Sequence, residues 1–133
     1  MASSRSLQSV TALGCLLAGL SVAAGAFGAH MLKTMLEPPM LAVFETAARY
    51  QMYHSLGMVA AGVAGRAFDC PGVARAGWCF AAGMLLFCGS LYGVSLLGIR
   101  WLGAITPIGG LAFITGWSLL GWSVWRGTMV SQE

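Results

Sequence analysis

The residues able to do chemistry in this chain crowd into one stretch, Gly25 to His54, which reads GAFGAHMLKTMLEPPMLAVFETAARYQMYH. It holds both histidines, the only lysine, two of the four acids and two of the three tyrosines. On a helix, Glu45, Arg49 and Tyr53 fall on one stripe, each four residues after the last. Tyr50 and His54 make a second stripe beside it, and Gln51 widens the polar arc. Elsewhere the polar groups that could join them are few: His30 lies near Gly25 and Gly28, Ser90 and Tyr92 come later, and then the run Thr106-Pro107-Ile108-Gly109-Gly110.

Several chemistries are open to such a set, and spacing removes most of them. Axial haem imidazoles must reach one iron from equal depth, whereas His30 and His54 differ by about 10 Å if both helices cross a membrane. There is no CxxCH. His30, His54 and Glu45 could ligate zinc, but nothing in their spacing demands it. Cys15, Cys70, Cys79 and Cys88 form no CxxC or finger pattern and read as small fillers between helices. No metal or cofactor is expected, and no nucleophile–base pair marks an enzyme. The plainest role for Glu45 and Arg49 is an i,i+4 ion pair at the headgroups, with Tyr50 and Tyr53 anchoring at the same level.

Composition fixes what carries these groups. Of 133 residues, 58% are hydrophobic and 8% charged, against about a quarter charged in a soluble domain. So few charges cannot cover a soluble monomer, and one integral membrane domain, 1–133, is expected. The net charge of +3 is spread singly over Arg5, Lys33, Arg49, Arg66, Arg75, Arg100 and Arg126, with no basic cluster for nucleic acid.

Four apolar runs are each long enough to cross a bilayer core, which takes about 20 residues: about 7–31, 46–66, 76–97 and 107–126. Arg5 and Ala24-Gly25-Ala26 also fit a cleavable signal peptide, but the apolar character continues to Met31, so residues 1–26 are expected to stay. Pro38-Pro39 ends the first helix and opens the second, which continues to Arg66 and is longer than a membrane needs. Counting back from Arg66 puts the membrane boundary near Glu45, so Tyr50 to His54 lie inside. There His54 needs a buried partner, expected on another helix. Gly14 and Ala18, Ser21 and Gly25, and Gly57, Ala61 and Gly65 are small-residue faces for helix contact, and Gly89 and Gly93 give a GxxxG spacing. Asp69-Cys70-Pro71-Gly72 is a turn, Thr106-Pro107 an N-cap with proline at the first helical position, and Trp122 and Trp125 beside Arg126 an aromatic belt before a short polar tail.

With four spans, His30, Glu45, Arg49, Tyr50, Tyr53, His54, Ser90, Tyr92 and Thr106 all belong to the half of the membrane away from the termini. A polar pocket there would suit membrane lipids, an anionic headgroup, a quinone, or a protein partner, including further copies of the chain. The alternative is a small transporter or channel subunit, which would need oligomers because four helices are narrow for a pore. Arg5, Arg66, Arg75 and Arg126 share the side of the termini, against Lys33, Arg100 and an Arg49 countered by Glu45. The bias favours cytoplasmic termini.

The motifs together resemble a known family. Gly25-Ala26-Phe27-Gly28-Ala29-His30, Phe44-Glu45-Thr46-Ala47 with Tyr50-Gln51-Met52-Tyr53-His54, Phe87-Cys88-Gly89-Ser90-Leu91-Tyr92, and Ile105-Thr106-Pro107-Ile108-Gly109-Gly110 with Gly116-Trp117 stand in an order similar to the domain-of-unknown-function 423 family. Those are small bacterial inner-membrane proteins, similar also to the mitochondrial transmembrane protein 256. The resemblance implies an all-α, four-helix transmembrane bundle and an inner-membrane location, and it brings no activity. The residues themselves point to a non-enzymatic membrane component that binds through its polar half.

Reporter fusions test the topology. A fusion at Glu133 should report the cytoplasm and one at Gly98 the far side; the same side for both would remove the four-span arrangement.

Overall fold

The prolines set the first corner. In the computed structural model, which describes residues 4–70 and 72–129, helix α1 runs from Ser4 to Met35 and α2 from Pro38 to Ala67. Only Leu36 and Glu37 separate them, and both are extended. Proline pushes the residue before it out of the helical region, while its missing N–H costs nothing in a first helical turn. The 30-residue α2 matches the long second helix read from the sequence.

Helix α3 spans Val73–Leu97 and α4 spans Thr106–Arg126. Gly98 ends α3 in the left-handed region (φ 69°), its amide bonded back to Val94 at 3.1 Å, a conformation that favours glycine. A 3-10 turn, Arg100–Ala104, then leads into α4. Because that turn runs straight into the helix, the Ile105 carbonyl accepts from the Ile108 amide at 3.0 Å. The helix start therefore needs no side-chain cap, and Thr106 sits inside α4 rather than capping it. Pro71 of the expected turn, and the tail from residue 130, lie outside the described residues.

One feature has no counterpart in the sequence reading. Phe68–Asp69 (β1) pairs antiparallel with Thr128–Met129 (β2), fastening the end of α2 to the end of α4. Cys70 is buried beneath this clasp, its thiol directed at the Phe68 and Ala64 carbonyls. Burial, and then the Asp69 carboxylate, push that thiol up from its ordinary value, so it stays a protonated donor. At the same end, Trp78 Nε1 donates to Ser6 Oγ at 3.2 Å. The helix ends bearing Arg5, Arg66, Arg75 and Arg126 thus lie together.

The helices pack in chain order, α1 on α2, α2 on α3 and α3 on α4. Leu16, Leu20, Leu85, Leu97, Leu111 and Ile114 stand exposed, while Ser21, Gln51, His54, Ser55, Ser90 and Ser95 are buried. Apolar outside with polar groups inside is the arrangement that lipid favours. Three segments, Ser4–Met35, Val73–Leu97 and Arg100–Arg126, are long and apolar enough to cross a membrane. Helix α2 is not among them: it carries Glu45, Arg49, Gln51 and His54, yet it packs against both α1 and α3.

Small residues set the closest approaches. A methyl at Gly14 would meet Met58 Cβ at 2.8 Å and the Ser55 carbonyl at 2.9 Å, and one at Gly109 would overlap the Phe87 backbone, with Cα at 2.8 Å. By contrast, Gly25 and Gly89 have nothing within 4 Å, so the expected contact at Gly25 and the GxxxG at Gly89 and Gly93 are not helix seams. The α3–α4 seam lies at Gly83, Gly109 and Gly116, where an added methyl would meet the backbone of the facing helix.

Thermal melting in detergent should separate the two kinds of glycine. Gly109→Ala should cost about 1–3 kcal/mol by overpacking. Gly89→Ala should be neutral or gain up to about 1 kcal/mol from helix propensity.

Candidate functional site

Helix α2 turns Phe44, Ala48, Gln51, Ser55, Met58 and Gly62 to one face, where all six are buried. Small neighbours on that face let α1 come close, and the long amide of Gln51 bridges what remains. Its Nε2 donates to the Leu17 carbonyl on α1 at 2.9 Å, and its Oε1 accepts from the Tyr92 hydroxyl on α3 at 2.8 Å. One side chain therefore ties three helices. One turn away on either side, Ser21 Oγ donates to the Ala48 carbonyl at 2.6 Å, and Ser55 Oγ to the Gln51 carbonyl at 2.6 Å. The Tyr92 ring rests on Phe44, with centroids 5.1 Å apart. Among the described residues, no fully buried side-chain nitrogen or oxygen lacks a partner.

Beside this pair opens a crevice of about 320 Å³ between α1 and α3. Leu13 and Leu17 form one wall, Leu85 and Gly89 the other, and Gln51 and Tyr92 supply its polar groups. The α3 wall includes the segment Met84–Cys88, where the helix widens to a π turn. Such turns occur often at functional sites, because they open a helix locally and free its carbonyls. The crevice is apolar, open-sided and carries no charged lining residue.

The nine residues singled out by sequence distribute over four places. Tyr92 alone lines the crevice. Ser90 and Thr106 meet between α3 and α4, their hydroxyls 2.6 Å apart. Ser90 already donates to the Phe87 carbonyl at 2.9 Å, so Thr106 is the donor in that pair. Tyr50 and His54 belong to an aromatic cluster: Tyr50 stacks on Phe87 at 4.8 Å and His54 on Phe113 at 3.4 Å, with Phe80 and Trp117 around them. His30, Glu45, Arg49 and Tyr53 are exposed.

His54 is buried and turned into the bundle, but its polar partner is not on another helix. Its Nδ1–H donates to the Tyr50 carbonyl at 2.7 Å, one turn back on α2. That carbonyl is always in reach at i−4, so the ring satisfies one nitrogen locally and spends its faces on aromatic neighbours. The Glu45–Arg49 ion pair is also absent: among the described residues these two stand exposed on one stripe without closing on each other. No three His, Cys, Asp or Glu side chains gather as a metal would need, among the described residues.

Gln51 is the residue that the sequence reading undervalued, leaving it outside the pocket. The signal was present: an amide flanked by Ala47, Ala48 and Ser55 can reach across a close helix contact, which small residues permit.

Comparison with known proteins gives this chain relatives. A family model described as a protein of unknown function, DUF423, matches residues 24–110, which include Gln51, His54, Tyr92 and Thr106. The chain is 49% identical over 108 residues to a UPF0382 membrane protein of Staphylococcus haemolyticus, covering 81% of this chain and 88% of the relative. It is 46% identical over 109 residues to the UPF0382 membrane protein YwdK of Bacillus subtilis, covering 81% and 89%. No solved structure matches.

A double-mutant cycle tests the Gln51–Tyr92 bond. Tyr92→Phe should cost about 0.6–1.7 kcal/mol, the range of interhelical hydrogen bonds in membranes. Gln51→Leu should cost about 1–3 kcal/mol because it leaves the Tyr92 hydroxyl unpaired. The double mutant should lose less than the sum, as measured by detergent melts; strict additivity would mean the two side chains share no bond.

Proposed function

The chain belongs to the family described as protein of unknown function DUF423, and we propose that it is a non-enzymatic membrane component whose crevice between α1 and α3 binds a neutral lipid of the quinone or isoprenoid class. In this reading all four helices cross the bacterial inner membrane with cytoplasmic termini, and α1 and α3 shield the polar half of α2.

The observation that carries the proposal is the uncharged Gln51–Tyr92 pair in an otherwise apolar crevice. Gln51 Nε2 uses one N–H on Leu17 and keeps the second, while the Tyr92 oxygen keeps acceptor capacity. A carbonyl on an apolar body can accept from the free N–H, and a hydroxyl can use both groups. An anionic headgroup cannot: no cation lines the crevice, and an unpaired charge taken out of water costs several kcal/mol. A volume of about 320 Å³ sits at the small end of ligand sites, enough for a ring or chain segment with the rest of the molecule in the bilayer.

Gly89 offers a clean test, because its α-carbon faces the crevice and open space. Protein purified in mild detergent should retain a neutral quinone or isoprenoid lipid detectable by mass spectrometry. Gly89→Leu should fill the crevice, lower retention by about tenfold or more, a change of 1.4 kcal/mol or greater, and not lower the melting point. Equal retention by wild type and variant, or copurification of anionic phospholipid alone, would overturn this reading.

A further inference from the structure

The outer stripe of α2 is unused by everything above. Ala42, Arg49, Leu56 and Val63 recur every seven residues and all stand exposed, with Glu45 and Tyr53 exposed between them. Helical rotation of about 100° per residue puts this stripe roughly opposite Gln51, so it is independent of the crevice. A sustained seven-residue repeat is the geometry of two helices that wind along a common seam.

We propose that this stripe is the seam of a parallel homodimer, α2 against the same helix of a second copy, in which Arg49 of each chain pairs with Glu45 of the other. The charge pattern selects the occupant. Two copies inserted in the same orientation can meet only about an axis along the membrane normal, which sets like positions at equal depth. Glu45 and Arg49, one turn apart and of opposite sign, then match crosswise, giving two pairs from one self-complementary patch. Within one chain these residues do not pair, and Arg49 lies about 6 Å further along the helix than Glu45. An ionised group at that depth needs a partner. Lipid tails supply none. Below the charged turn, Leu56 and Val63 continue the seam, and the small Ala42 and Ala60 let two backbones approach.

Cysteine cross-linking in native membranes reads this directly, in a Cys15→Ser background that removes an exposed thiol. Leu56→Cys and Val63→Cys should give a disulfide-linked species of twice the chain mass, and Leu111→Cys, exposed on α4, should not. Arg49→Glu and Glu45→Arg should each weaken dimerisation by about tenfold or more, measured by light scattering in detergent, and the double exchange Glu45→Arg with Arg49→Glu should restore it. A monomeric mass for the wild type, equal cross-linking at Leu56 and Leu111, failure of the double exchange to restore the dimer, or capture of a different protein at Leu56 would each overturn the proposal. Retention of lipid by any of these variants reports separately on the crevice.

Discussion

Everything in this bundle depends on keeping polar groups paired where water is absent. In lipid, the hydrophobic effect does not drive helix against helix, so association rests on packing and on hydrogen bonds between helices. Gln51 concentrates that requirement in one side chain. Its amide satisfies a carbonyl on α1 and a hydroxyl on α3, and so fixes the rotation of α2 relative to both neighbours. Ser21 on α1 repeats the tie one turn away. On the other flank, Ser90 and Thr106 do the same for α3 and α4.

The packing is arranged around those ties. Gly14 lets α1 lie against Met58 and Ser55, which brings Leu17 within range of the Gln51 amide. Gly83 and Gly109 bring α3 and α4 together at the π turn Met84–Cys88. Widening α3 there, while leaving Gly89 bare, produces the crevice on its other side. The same irregularity thus serves a seam on one face and an opening on the other. The aromatic cluster of Tyr50, His54, Phe87 and Phe113 fills the space between α2 and α4, where no side-chain hydrogen bond joins them among the described residues.

Helix α2 carries two distinct surfaces. One is buried and neutral, built on Gln51, Ser55 and His54. The other is exposed and charged at one end, built on Glu45 and Arg49. A charged group could not occupy the first without an unpaired ion in the bundle, and Arg49 stands on the second, exposed face. Polarity on this helix is therefore divided by kind as well as by position.

The sequence by itself determined the class, the membrane setting, the four helices and most of their ends. Pro38-Pro39 could only break and restart a helix, Gly98 was suited to stop one, and 8% charged residues excluded a soluble surface. What the sequence could not determine is which way each helix faces. In lipid both the inner and outer faces of a helix are apolar, so hydrophobic periodicity, which marks a buried face in water, carries little information. Only tertiary structure decided that Gln51 faces inward while Glu45, Arg49 and Tyr53 face out. It likewise decided that Gly109 rather than Gly89 makes a seam, that Thr106 bonds Ser90 instead of capping α4, and that Phe68–Asp69 clasps Thr128–Met129. Each of these is a choice of rotation or a contact between distant residues, set by close packing and by the pairing of buried polar groups, and neither has a signature in local sequence.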